Sequence, residues 1–127
     1  MADKLAPYKG GNSPIAPFPF ADVQAWTARL AQRNKCSGST VESRIATHVR
    51  RLAYADCSEN ADVVLYTLDG GGHTWPGGKH LAEWIAGPTI DDINATKVMW
   101  EFFAEHPRTP NGHKPQIGGP LRASGRD

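Results

Sequence analysis

Residues 63–78, "VVLYTLDGGGHTWPGG", constrain the fold more than any other stretch of the chain. The continuous apolar run at 63–68 predicts a strand buried on both faces, as in an open α/β sheet. The glycines that follow allow positive φ and close backbone approach, and they place His73 at the carboxyl edge of the sheet, where such folds bind ligands. His73 is then either a catalytic residue or a turn residue that hydrogen-bonds the backbone.

The 127 residues suffice for one domain. Prolines and adjacent glycines predict an irregular segment over residues 3–20. Residues 21–34 space Val23, Trp26 and Leu30 as in an amphipathic helix. Residues 44–55 fit a strand or a helix about equally well. We expect residues 108–127 to form an extended or disordered tail.

The second half of the domain is predicted to be helical after the glycines. Residues 79–87, "KHLAEWIAG", suit a short helix. Residues 88–107 form the strongest predicted helix, with Thr89 as its cap and Pro107 as its stop. The "NAT" at 94–96 matches a glycosylation acceptor, but a position inside this helix indicates a chance match.

Charge and hydropathy narrow the class of partner. The net charge is +1 and the basic residues are scattered, so we expect no nucleic-acid partner. The sequence has no apolar stretch of the roughly 20 residues that cross a bilayer, and no signal peptide at its start, so we expect a soluble chain without a membrane partner. No cofactor is expected.

The two cysteines, Cys36 and Cys57, lack the spacing of a redox motif or of a zinc site. A bridge between them would stabilise the fold by about 3 kcal/mol in an oxidising compartment. Two unrelated buried thiols fit the spacing equally well. The spacing alone leaves both alternatives open.

Three stretches resemble one known family. "VVLYTLDGGGHTWPGG", "INATKVMWEFFAEHP" and "ADKLAPYKGG" are together similar to the C-terminal part of the polyhydroxybutyrate depolymerase and feruloyl esterase family of α/β-hydrolases. The resemblance runs from about residue 2 to residue 106, and the histidine motif is its most specific part. It implies an α/β fold over residues 1–107, a partial α/β-hydrolase with few strands and flanking helices.

The resemblance also implies the roles of individual residues. His73 corresponds to the base of a catalytic triad and Asp3 to its acid, which holds the imidazole in the right tautomer. Trp75 and Gly72 would contact a small or polymeric ester, although Trp75 fits a structural wall equally well. The paired cysteines resemble a disulfide of the family, which implies a Cys36–Cys57 bridge.

The nucleophile of such a triad is missing from the pattern. α/β-Hydrolases carry their serine in GxSxG ahead of the acid and the histidine, and this sequence has no GxSxG. The family's oxyanion-hole segment and several core strands would lie before Met1, so the chain resembles the second half of an esterase. Exposed strand edges and an apolar helix face predict that a homo-oligomer completes the fold.

Three functions compete at this point. The first is an esterase-type hydrolase, or a fragment of one, that uses His73 and Asp3. The second is a non-catalytic binding module in which Trp75 and Trp84 present flat apolar faces to a polymer or a carbohydrate. The third, a metal site at His73 and His80, is weakly supported because no third ligand has a suitable spacing, so no metal is expected.

Overall fold

A computed structural model describes residues 3–107 as a small mixed α/β domain. Two small antiparallel sheets, β1-β2 and β3-β4-β5, are accompanied by three helices. The elements in chain order are β1 (Gly11–Ser13), β2 (Ala16–Phe20), α1 (Val23–Arg33), β3 (Val41–Ala46), β4 (Val49–Tyr54), β5 (Val63–Leu68), α2 (Glu83–Ala86) and α3 (Ala95–Glu105). The predicted tail at 108–127 lies outside the described residues.

The larger sheet is built around β4, which pairs antiparallel with β3 on one side and with β5 on the other. Strands β3 and β4 form a hairpin that turns at Thr47 and His48. Of the two alternatives for residues 44–55, the structure shows strand and not helix, but the turn divides these residues between two strands. Strand β5 pairs with β4 at every one of its residues, from Val63 opposite Tyr54 to Leu68 opposite Val49.

Strand β5 lies where the sequence predicts it, but its burial differs from the prediction. Thr67 is buried and the other five residues are only half-buried. Within residues 3–107, β5 has a strand neighbour on one side only, and that neighbour is antiparallel. The expectation of a strand buried on both faces is therefore wrong for this part of the chain, because only Thr67 of β5 is buried.

Helix α1 confirms the predicted helix over residues 21–34. Asp22 caps it, with its side chain accepting a hydrogen bond from the backbone N–H of Ala25 at 2.9 Å. The buried residues of α1 are Thr27 and Ala31, whereas Trp26 is 55% exposed. Small side chains thus face the sheet, and the tryptophan of the predicted apolar stripe faces outward.

The prediction of an irregular segment over residues 3–20 is wrong in its second half. Strands β1 and β2 form a hairpin there, although Pro17 and Pro19 lie within β2. A proline lacks only the backbone donor, so it is tolerated on an edge strand. In a sheet of two strands both are edge strands, which explains why the prolines do not prevent pairing.

Helix α3 begins later than predicted. It is capped by Asn94, whose side chain accepts from the N–H of Lys97 at 2.9 Å, and not by Thr89. The interpretation of "NAT" as lying inside a helix is corrected as well, since Asn94 is the cap and only Ala95 and Thr96 lie within the helix. Residues 88–94 are not helical, and within them Asp91 and Asp92 bind histidines elsewhere in the fold. The helix ends at Glu105, two residues before the predicted stop at Pro107.

A disulfide joins Cys36 to Cys57, as the resemblance implies. It links the turn after α1 to the segment after β4. The backbone of Asn34 reinforces this link by accepting from the N–H of Ser58 at 2.8 Å. A cross-link of this loop length stabilises by about 3 kcal/mol, chiefly through the unfolded chain.

The core formed by these elements is small. Among the described residues the buried apolar side chains are Ala31, Val49, Ala53 and Ala86, and Val49 is the largest side chain that is fully buried. None of the four tryptophans of the chain is buried. No helix within residues 3–107 is long and apolar enough to cross a membrane.

The cap of α3 can be tested by comparing two substitutions. We expect Asn94→Ala to lower the free energy of unfolding by about 1 kcal/mol, the usual cost of losing an N-cap side chain. Thr89→Ala should change it by less than half of that, because Thr89 caps nothing in this fold. Urea unfolding followed by circular dichroism measures both, and a larger loss for Thr89→Ala would contradict the observed helix start.

Candidate active site

The candidate site is built on the glycine loop, residues 69–78, which leaves the end of β5. Its first residue, Asp69, accepts two hydrogen bonds from the Arg50 guanidinium on β4, at 3.0 and 3.2 Å. The Arg50 side chain lowers the pKa of Asp69 through this hydrogen-bonded pair. The backbone N–H of Asp69 also donates to the carbonyl of His48 at 2.7 Å. The start of the loop is thus fixed to the sheet.

The middle of the loop is hydrogen-bonded to the segment around α2. Gly72 donates its N–H to the carbonyl of Pro88 at 2.8 Å, and His73 donates its N–H to the carbonyl of Ala86. A Cβ on Gly72 would overlap the carbonyl oxygen of Ala86 and lie 2.7 Å from the backbone of Gly87. Only glycine allows the two segments to lie this close, and their contact fixes the backbone of His73.

His73 meets Asp3 across 70 residues of sequence. The Nδ1 atom of His73 lies 3.0 Å from Oδ2 of Asp3, within hydrogen-bond distance. The His73 side chain is 49% exposed and the Asp3 side chain 21% exposed. The structure therefore brings together the two residues to which the resemblance gives the roles of base and acid.

Asp3 is held from its other side by the backbone. Its Oδ1 atom accepts hydrogen bonds from the N–H groups of Leu5 at 2.9 Å and Ala6 at 2.8 Å. Burial raises the pKa of Asp3, but the N–H of Ala6, the His73 ring and the N–H of Leu5 outweigh it, and the pKa lies below its ordinary value of 3.8. Asp3 is therefore ionised at neutral pH, with both oxygens oriented.

The ionised carboxylate determines the tautomer of His73. A carboxylate can only accept hydrogen bonds, so the proton must be on Nδ1. The Nε2 atom then carries the lone pair of a base. Among residues 3–107, no side chain or backbone group hydrogen-bonds to Nε2. An exposed imidazole with this orientation can accept a proton from a reacting group.

Two cavities flank the histidine–aspartate pair. One of about 290 Å³ reaches Asp3, Gly72 and Thr74, and the remainder of its lining is mostly apolar. The other, of about 250 Å³, is formed by residues 4–5 and by the segment 83–88, which includes Trp84. Asp3 lines only the first of the two, and His73 lines neither. A larger cavity of about 420 Å³ lies between β5 and α3 and contains neither His73 nor Asp3. The candidate ligand space is therefore next to Asp3.

The other predicted site residues lie apart from this space, with the exception of Gly72. The Nε1 atom of Trp75 donates to Oγ1 of Thr96 on α3 at 3.0 Å, and its ring lines a cleft with Met99, Trp100 and Phe103. Trp75 lines neither of the cavities that flank the pair. Its predicted contact with substrate stays a prediction.

His80 does not approach His73 as a second ligand of a metal. Its Nε2 atom lies 2.7 Å from Oδ2 of Asp91, whereas His73 pairs with Asp3. In the described part of the chain, no three histidine, cysteine, aspartate or glutamate side chains are arranged to hold a metal ion. The alternative of a metal site gains no support from this geometry.

Sequence analysis missed two further histidine–aspartate pairs. The Nδ1 atom of His48 lies 3.2 Å from Asp92, and Nε2 of His106 lies 3.4 Å from Asp62. The signal available for the first of them was the adjacent pair Asp91 and Asp92, at the start of the helix predicted over residues 88–107. These aspartates instead bind His48 in the turn of the β3-β4 hairpin and His80 just after the glycine loop.

No serine among residues 3–107 hydrogen-bonds to His73. The Ser13 hydroxyl donates to the carbonyl of Leu5, and the Ser37 hydroxyl donates to that of Asp56. Ser124 lies outside the described residues. The described residues thus provide a base and its orienting carboxylate, but no serine in contact with them.

Comparison with known proteins adds no relative to this description, since no protein-family profile, no curated protein and no solved structure matches the chain.

The close approach at Gly72 predicts a strong effect of a single methyl group. We expect Gly72→Ala to lower the free energy of unfolding by about 1–3 kcal/mol, because its Cβ must displace the backbone at Ala86 and Gly87. Gly71→Ala is the matched control, since its Cβ would meet no atom nearer than 3.3 Å. Equal losses in urea unfolding of the two variants would contradict the close approach.

The lowered pKa of Asp3 predicts a dependence of stability on pH. A carboxyl whose pKa is lower in the folded than in the unfolded state stabilises the fold at pH values above the unfolded pKa. For Asp3 this contribution is lost as the pH falls below about 4. Asp3→Asn keeps an oxygen that can accept from Leu5 and Ala6 but cannot ionise. The difference in unfolding free energy between wild type and Asp3→Asn should therefore shrink from neutral pH towards about pH 2. A difference that stays constant would contradict the lowered pKa.

Proposed function

We propose that this chain acts on carboxylic esters as an esterase-type hydrolase, with His73 as general base and Asp3 as the residue that orients it. The observation that supports the proposal is the 3.0 Å contact between Nδ1 of His73 and Oδ2 of Asp3. The family resemblance of the sequence assigns the same two roles to these residues. The proposed fold is correspondingly the C-terminal portion of an α/β-hydrolase.

The proposed chemistry begins with a proton transfer to Nε2 of His73. The nucleophile is water where no activated serine is present. Its O–H proton moves to Nε2 as its oxygen bonds to the carbonyl carbon of the ester. The imidazolium that forms is stabilised by the negative charge of Asp3. When the tetrahedral intermediate collapses, the C–O bond to the alcohol breaks and Nε2 returns a proton to the leaving oxygen.

The cavity next to Asp3 supports an uncharged substrate. Its lining includes the side chains of Val23, Leu65 and Ile90 together with the backbone of Gly71 and Gly72. Apolar walls with a few polar groups at one end suit the acyl or alcohol part of an ester. An anionic substrate would lose its hydration there without finding an opposite charge, because the one charged side chain in the lining is Asp3, itself negative and already paired with His73.

An activated ester tests the proposal directly. We expect the purified chain to hydrolyse p-nitrophenyl acetate faster than His73→Ala by about 100-fold, the lower end of what a positioned general base contributes. Asp3→Asn should retain an intermediate rate, since the imidazole is still present but loses the carboxylate that orients it and stabilises its protonated form. A fluorophosphonate probe should leave the chain unlabelled if water is the nucleophile.

His80→Ala is the matched control for this assay. His80 is another exposed histidine paired with an aspartate, but its partner Asp91 does not line the cavity of about 290 Å³, whereas Asp3 does. We expect its rate to equal that of wild type. Equal rates for wild type and His73→Ala, or equal losses for His73→Ala and His80→Ala, would refute a specific role of His73. Circular dichroism of each variant verifies that the fold is retained.

A non-catalytic binding module is the second candidate, and the exposure of Trp84 favours it. Trp84 is 87% exposed, and it lines the cavity of about 250 Å³ beside Lys4 and Leu5. An exposed indole at a cavity is a typical contact for the flat face of a sugar or polymer unit. In this case Trp84→Ala would abolish retention on an insoluble polymer, whereas His73→Ala would leave retention unchanged.

A further inference from the structure

The outer edge of β5 has features of a strand that is meant to be paired. No other strand pairs with it there among residues 3–107, and its sequence contains no charge and no proline. Edge strands in stable monomers are usually protected by charges, prolines or bulges. The pairing of β5 with β4 shows no bulge either. A free edge of this kind favours the addition of another strand.

Two cavities lie on opposite faces of the sheet along this edge. The cavity of about 420 Å³ lies between β5 and α3, and the cavity of about 290 Å³ lies between β5 and the start of α1. Tyr66 and Leu68 line both cavities and no residue of β4 lines either, so both lie towards the outer edge of β5. A strand added there would direct alternate side chains into the two cavities.

The lining of the cavities determines what kind of strand fits. The larger cavity is lined by apolar side chains with the exception of Asp62 at one end, so the incoming strand must be apolar on this face. The smaller cavity is mostly apolar as well. Among the described strands, β3 and β4 contain charged residues, β2 contains prolines and β1 has three residues. Strand β5 itself has the required pattern.

The exposed side of α3 adjoins the larger cavity. Met99 and Phe103 line both this cavity and the cleft at Trp75, and Trp100 extends the same surface. Trp100 is 70% exposed and Phe103 is 53% exposed. With Trp75, which is 51% exposed, they present roughly 350 Å² of surface, taking about 200 Å² for each aromatic side chain and scaling it by the exposed fraction. This is about half of the roughly 800 Å² per partner that a stable interface needs, and a strand edge can contribute the rest.

We propose that the edge of β5 binds the same edge of a second copy of this chain. The two β5 strands pair antiparallel about a two-fold axis perpendicular to the sheet, which gives one continuous sheet of six strands. The axis places the two α3 helices side by side on one face, so that Trp100 and Phe103 of each copy face the other copy. The contact is isologous, since both copies use the same surface.

The two-fold axis restricts the register. Residues directly opposite in an antiparallel pair point to the same face of the sheet. Both α3 helices therefore lie on one face only if a residue of β5 in one copy lies opposite the same residue of the other copy. The central positions for this pairing are Leu65 and Tyr66. The hydrogen bonds of this pairing would satisfy backbone groups of β5 that β4 does not reach.

Sedimentation velocity on the full chain tests the proposal with two variants and a control. We expect wild type to sediment with twice the chain mass at tens of micromolar. Tyr66→Lys, at the shared edge, and Trp100→Lys, on α3, should each weaken the dimer at least about 100-fold, because a charge would be buried in an apolar contact. Phe18→Lys is the matched control, since Phe18 is an exposed aromatic residue on β2. It should remain dimeric.

Hydrogen exchange of the wild-type chain provides a second measurement that needs no variant. Amide protons of residues 63–68 should exchange more slowly as the concentration rises, while those of β1 and β2 should not change. A monomer at all concentrations would overturn the proposal, and the edge would then be left for a different polypeptide. A dimer that persists in both Tyr66→Lys and Trp100→Lys, or protection elsewhere than β5 and α3, would overturn it as well.

Discussion

The pairing of β4 with β5 holds the rest of this fold in position. Arg50 of β4 binds Asp69 at the start of the glycine loop, and the loop places His73. On the face of β5 towards α1, the hydroxyl of Thr67 lies 3.0 Å from that of Tyr8, which ties down the segment that begins with Asp3. Since both halves of the histidine–aspartate pair depend on β5, disrupting this strand would separate residues that the sequence places 70 positions apart.

The surroundings of the aspartate distinguish His73 from His80. Asp3 uses one oxygen for two backbone N–H groups and the other for the imidazole, so its carboxylate cannot rotate without losing hydrogen bonds. Asp91, the partner of His80, has a half-exposed side chain and no such backbone contacts. A carboxylate that is held in place orients the imidazole ring, whereas a carboxylate that can rotate only attracts the positive charge of a protonated ring. The difference supports a catalytic role for His73 and a structural role for His80.

Local sequence patterns predicted the elements whose determinants are local. The apolar run of β5 and the helical spacing of α1 are examples, and the contact between His73 and Asp3 followed from the family resemblance. The start of α3 was beyond such patterns because two residues could cap it. Thr89 and Asn94 are both suitable capping residues, and the choice depends on distant histidines that bind Asp91 and Asp92. The hairpin β1-β2 was missed because the prolines predicted an irregular segment. Proline disfavours interior strands but is tolerated on edge strands such as these.

Because the core is small, the candidate site depends on contacts near the open edge of β5. With Val49 as the largest fully buried side chain, the fold gains little from its interior, and the disulfide and the hydrogen bonds of the glycine loop must contribute much of its stability. Leu68, at the open edge, immediately precedes this loop. A strand that covered the edge would restrain Tyr66 and Leu68, and with them the backbone that leads to His73. The contact that completes the core would thus also limit the motion of the proposed catalytic base.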